Sequence, residues 1–173
     1  YAEGGSDILK TLKDHQVPAS FFFTGDFYRN PSFASLIKDL LAEGHYLGAH
    51  SDKHLLYCDW DNREQLLVSR EKFENDLLGN YSEMEKFGIR KEDAPYFLPP
   101  YEWYNDSISQ WTQELGLQLI NFTHGTRSHA DYTHPAMSNY TDSEAILKSI
   151  WEYEQTAPNG LNGFILLVHI GAG

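Results

Sequence analysis

The stretch Gly44-His45-Tyr46-Leu47-Gly48-Ala49-His50-Ser51-Asp52-Lys53-His54 decides how this chain is read. Its glycine closes a helical pattern over about Ser32 to Glu43, in which Phe33, Leu36, Ile37, Leu40 and Leu41 form one apolar stripe. Tyr46 to Ala49 follows as a short strand without polar alternation, the pattern of a strand covered on both faces. The strand then opens into a polar loop carrying two imidazoles four positions apart. Residues i and i+4 of one helical turn share a face, so His50 and His54 can reach one metal ion. Helix, strand and titratable loop in that order are the signature of a parallel α/β unit, whose chemistry gathers at the C-terminal strand ends.

The same alternation extends in both directions. Ser6 to His15 reads as an amphipathic helix, and Ala19 to Gly25 (ASFFFTG) as a buried strand. A long helix is predicted from about Arg63 to Phe87, opened by Asp61 and Glu64 as a capping box and broken near Gly79-Asn80. Tyr96-Phe97-Leu98 is predicted as a strand ending at Pro99-Pro100, which cannot lie in a helix interior. A helix over Asp106 to Leu115, a strand over Gln118 to Phe122 and a helix over Ser143 to Glu154 follow. Gly163 to Val168 is predicted as a fully apolar last strand ending at His169. The fold class is therefore α/β, either a doubly wound sheet or a (β/α) barrel, and residues 1–173 are read as one domain.

Composition narrows the partners. The chain has 173 residues, 41% of them apolar, enough for a real core. Lys and Arg total 13 against 25 Asp and Glu, a net charge of −12, which repels phosphate backbones and anionic membrane surfaces. No apolar run approaches the roughly 20 residues of a membrane span. The 10 Phe, 11 Tyr and 4 Trp suit stacking on sugar rings as well as core packing. Cys58 is the only cysteine, so neither a disulfide framework nor a cysteine zinc site is expected. Tyr101 and Glu102 follow one predicted strand, Asp131 lies in the loop after another, and His169 ends the last. His15 and His45 fall on the opposite face, and His124, His129 and His134 read as loop residues.

Taken together, these motifs resemble the polysaccharide deacetylase family, the NodB-homology domain or carbohydrate esterase family 4. His50-Ser51-Asp52-Lys53-His54 is similar to its His-[Ser/Thr]-x-x-His motif, Leu98-Pro99-Pro100-Tyr101 to its Arg-Pro-Pro-Tyr motif, and Leu167-Val168-His169 to its Leu-x-His motif. Asp131-Tyr132 stands about where its Asp-Trp pair falls.

The resemblance implies a distorted (β/α) barrel, incomplete in this chain, and a metal-dependent hydrolase removing acetyl groups from a polysaccharide such as peptidoglycan, an N-acetylglucosamine polymer or acetylated xylan. It makes His50 and His54 metal ligands, for zinc first and for cobalt, nickel or manganese as alternatives. His169 becomes the general acid with Asp131 as its partner. The backbone N–H of Tyr101 becomes an oxyanion donor, and Pro100, Tyr101, Trp103, Tyr132 and Leu167 line the substrate site. Ser51 stabilises the histidine loop.

Two departures bear on activity. The motif Thr-Phe-Asp-Asp-Gly, source of the general base and third ligand, is expected ahead of Tyr1. Leu98 stands where the family carries Arg, and Arg127 is offered as a substitute from its loop. The second departure motivates an alternative, a catalytically impaired carbohydrate-binding homologue. Both ends of the chain are expected to be internal to a longer protein, secreted, periplasmic or at the cell surface.

Overall fold

The computed structural model describes residues 2–171. Their contacts group into two compact units, residues 9–121 and residues 2–8 with 122–171. Helix α1, Gly5–His15, spans the boundary between them in sequence.

The unit over 9–121 holds four strands: β1 Ser20–Phe23, β2 Tyr46–Ala49, β3 Tyr96–Phe97 and β4 Gln118–Leu119. All pair in parallel, in the order β1-β2-β3-β4. Between them come α2 Gly25–Arg29, α3 Ala34–Ala42, α4 Arg70–Glu85 and α5 Asp106–Glu114. Each α2, α4 and α5 start has its side-chain cap: Thr24 accepts from Phe27 N, Ser69 from Lys72 N and Asn105 from Ile108 N. Ile37, Leu40, Phe73, Leu77, Met84, Phe97 and Ile108 are fully buried and form the core. Each such side chain contributes about 1.5–3 kcal/mol of burial.

The predicted helix over Arg63 to Phe87 is corrected at its start. Residues 63–69 are not helical, because Asp59 Oδ1 accepts from Asp61 N and Asn62 N and turns the chain back. Asp59 N then donates to Gln65 O, and Leu67 N to Tyr57 O, flanking a Cys58–Leu66 bridge. The helix begins only after Ser69. It also runs unbroken through Gly79 and Asn80, where the sequence predicted a break.

In the second unit, α6 covers Ser143–Thr156 and a 3-10 turn covers Ser128–Tyr132. The predicted last strand is also corrected. Residues 164–169 belong to no helix and no ladder among the described residues. Ile165 N donates to Thr123 Oγ1 and His169 N to Asp131 Oδ2, so side chains take donors that a neighbouring strand would otherwise accept. Ile165, Leu166 and Val168 are exposed.

Candidate functional site

The histidine loop leaves the C-terminal end of β2. Ser51 and His54 both adopt positive φ, 66° and 53°, a conformation that needs support from its surroundings. Support comes from side chains. Ser51 Oγ accepts from His54 N at 2.8 Å, Asn80 Oδ1 from His50 N at 2.8 Å, and Asp76 Oδ1 from Lys53 N at 3.0 Å. Asp76 also accepts from Tyr57 OH at 2.7 Å. Ser51 is wholly buried, in keeping with a loop-stabilising role.

The result brings His50 Nε2 and His54 Nε2 to 3.1 Å. His50 Nδ1 lies 2.8 Å from Leu98 O, and since a carbonyl only accepts, Nδ1 carries the proton and Nε2 presents its lone pair. A backbone carbonyl holding the far nitrogen is the usual orienting partner of a metal-ligating imidazole. Two nitrogens bound to one zinc at about 2.0–2.1 Å in a tetrahedron are about 3.3 Å apart. The pair therefore fits a shared divalent ion as two of its ligands. Among the described residues, no group of three His, Cys, Asp or Glu converges on one such point.

Beside the histidines, the chain after β3 turns through Pro99 and Pro100, both fully buried, with Leu98 buried before them. Leu98 reaches the site through its backbone: its N donates to Ala49 O and its O accepts from His50. Tyr101 and Glu102 follow with φ of 61° and 54°. The Tyr101 ring lies 4.4 Å from that of His54, and Trp60 lies 5.5 Å from Tyr101 and 5.6 Å from Trp103. Trp60 is 53% exposed and Tyr101 44%. Arg63 stacks over Trp103 at 4.0 Å, and Trp103 Nε1 donates to Asp59 O. An aromatic platform thus adjoins the histidine pair.

The second unit brings together the other predicted residues. Both Asp131 oxygens hold His169, one accepting from its backbone N at 2.7 Å and the other lying 2.6 Å from its Nδ1. Tyr132 packs its ring at 5.4 Å from that of His169. Leu167 is half-buried. Arg127 donates through its guanidinium to Thr141 and through its backbone to Ser149, both in its own unit. His129 lies against Phe122, and desolvation, ahead of the charges of His124 and His169, pushes its pKa below the ordinary imidazole value.

Sequence reasoning missed Asp76, Asn80, Trp60 and Arg63. Asp76 and Asn80 lie four apart on α4 and are buried, and a buried Asp and Asn on one helical face was the signal available. Trp60 and Arg63 sit in the segment read as the lead-in and first turn of a helix, which hid them.

The sequence model of the polysaccharide deacetylase family matches residues 2–120, and the chain belongs to that family. It is similar to a peptidoglycan-N-acetylglucosamine deacetylase of Bacillus cereus, 28% identical over 165 residues, 95% of this chain and 65% of that protein. It is also similar to the peptidoglycan-N-acetylmuramic acid deacetylase PdaA of Bacillus subtilis, 28% identical over 113 residues, 65% of this chain and 39% of that protein. Among solved structures, a family 4 carbohydrate esterase from Streptomyces lividans in complex with acetate aligns with a TM-score of 0.69 and 15% identity, covering 98% of this chain and 74% of the other. A family 4 pseudoenzyme from Bacillus anthracis aligns with a TM-score of 0.67 and 19% identity, covering 88% and 48%. The fold is accordingly the α/β NodB type, a distorted barrel of which the described residues provide four parallel strands.

Proposed function

We propose that this chain carries the metal-holding part of a peptidoglycan deacetylase that removes the N-acetyl group of a glycan sugar. The observation that carries the reading is the 3.1 Å approach of His50 Nε2 and His54 Nε2, with His50 oriented by Leu98 O. When bound, a divalent ion such as zinc would polarise the acetyl carbonyl and lower the pKa of a bound water. The relatives of known name support a peptidoglycan substrate, which lies outside the cytoplasm and makes export part of the proposal.

The remaining roles belong to the chain's own groups. Trp60, Tyr101 and Trp103 offer faces on which pyranose rings stack, and Pro100 fixes the turn that presents Tyr101. The Tyr101 N–H is proposed as donor to the developing oxyanion. Asp131 fixes the proton on His169 Nδ1 and stabilises the doubly protonated ring, whose Nε2 then gives a proton to the leaving amine. Tyr132 and Leu167 are proposed to enclose the acetyl methyl. The aspartates expected ahead of Tyr1 would supply the third ligand and the general base.

The test is acetate release from N-acetylated peptidoglycan by the full-length protein loaded with Zn²⁺ or Co²⁺. His50→Ala should abolish release and stoichiometric metal binding together, and His169→Ala should cut turnover about 10²–10⁴-fold with metal retained. Unchanged release in His50→Ala overturns the metal assignment. Leu98 favours a second reading, an impaired carbohydrate-binding homologue, because an apolar buried side chain cannot form the ion pair that the family resemblance assigns to Arg there. Under that reading the loaded protein binds the glycan and releases no acetate.

A further inference from the structure

We infer that Arg29 and Asp52 are positioning residues that lock the His50–His54 loop into the spacing a shared divalent ion requires. The inference rests on the proposed metal site and extends it to α2, which contributes no ligand.

Asp52 stands between the two histidines in sequence, yet its carboxylate is spent on α2. Oδ1 accepts from Arg29 Nη1 at 2.6 Å, and the side chain is only 15% exposed. The loop backbone docks on the same helix. Gly25 N donates to Ser51 O at 3.0 Å and Asp26 N to Asp52 O at 3.2 Å, so loop carbonyls satisfy two donors that a helix start leaves without intrahelical partners.

The fit leaves no slack. A Cβ on Gly25 would stand 1.8 Å from Asp52 Oδ1, whereas one on Gly79 of α4 would reach only ordinary contact with Asp52 at 3.4 Å. Arg29 is itself steadied by Asp26 at 2.5 Å and Glu83 of α4 at 3.4 Å. The grip therefore runs from α2 into Asp52 through Arg29 and into Ser51 through its carbonyl, and Ser51 Oγ in turn holds the His54 N–H. A bond made by Asp52 on one side of the loop and one by Asn80 on the other fix the segment from which both imidazoles project.

Gly25→Ala is the decisive variant. In an ordinary helix that change is neutral or favourable, whereas here it must displace the Asp52 carboxylate. Co²⁺ titration of the full-length protein should show affinity about 10- to 100-fold weaker in Gly25→Ala and Arg29→Met, with an altered cobalt absorption spectrum. In an Asp52→Ala background, Gly25→Ala should add little, because only the end of the flexible Arg29 side chain, at 3.1 Å, is left to give way. In metal-free protein at fixed pH, the ring NMR signals of His50 and His54 should move in both single variants.

If those signals stay in place, or if cobalt affinity and spectrum are unchanged while only the melting temperature falls, the grip is structural and the inference is overturned. If the unmodified protein binds no cobalt, the metal reading fails, and the ring signals still decide the positioning role.

Discussion

Asp76 is a buried carboxylate whose two oxygens take Lys53 N and the hydroxyl of Tyr57. Burial and the neighbouring charge of Asp76 both push the Tyr57 pKa up, so the phenol stays protonated and donates. Asp76→Ala would orphan both donors, the Tyr57 hydroxyl in a fully buried place and the Lys53 N–H in a partly buried one. Each orphan costs about 1–3 kcal/mol. Urea denaturation should accordingly show the variant less stable by about 2–5 kcal/mol, and a loss below about 1 kcal/mol would mean that the loop reorganises around the gap.

At the scale of elements, α2 carries an acid-sensitive carboxylate, Asp26. The Arg29 guanidinium, and after it the Lys53 ammonium, hold the Asp26 carboxyl below the usual carboxylate range. A depressed folded value means that the stabilisation is complete above the unfolded pKa, about 4, and fades as pH falls through the folded one. Asp26 is largely solvent-exposed, so the effect is modest. Melting curves between about pH 5 and pH 2 should fall less steeply for Asp26→Asn than for the unmodified chain. Parallel slopes would remove Asp26 from the account.

The elements also show what the residues announced in advance. Strands β1 and β2 and helices α1, α5 and α6 were legible because an apolar stripe or run lies between clear caps and turn residues. Gly79 read as a break because glycine weakens a helix, but α4 carries it and Asn80 without interruption. Residues 63–69 carry helix-forming side chains, and only the Asp59 turn, a feature of the preceding residues, diverts them. Residues 164–169 have the apolar run of a buried strand, yet their N–H groups meet Thr123 and Asp131 instead of a ladder. The histidine pair was visible in its spacing. Its supports on α4 were not, since nothing local ties Asp76 or Asn80 to a loop more than twenty residues earlier.

For the molecule as a whole, the charge of −12 makes the proposed glycan binding sensitive to charge on the sugar. An N-acetylated glycan without free amines meets the aromatic platform without a Coulombic term, whereas each acetyl group removed exposes a cationic amine. Partly deacetylated oligosaccharides should therefore bind more tightly at low salt. Raising ionic strength from about 0.05 to about 0.5 M should weaken them while leaving fully acetylated ones nearly unaffected. Equal salt sensitivity in calorimetry would show that the charge lies too far from the platform to matter.

Cys58 gives the same molecule a clock. It is fully enclosed, pinned beside the Leu66 bridge four residues past His54, and desolvation raises its thiol pKa. A thiol reagent can reach it only while that hairpin is open, so the labelling rate counts openings of the hairpin behind the histidine loop. Divalent metal should slow labelling in proportion to its occupancy of His50 and His54. Labelling indifferent to metal would mean that the hairpin opens independently of the loop. A single sulfur atom with no part in the proposed chemistry thus keeps time for the segment that has one.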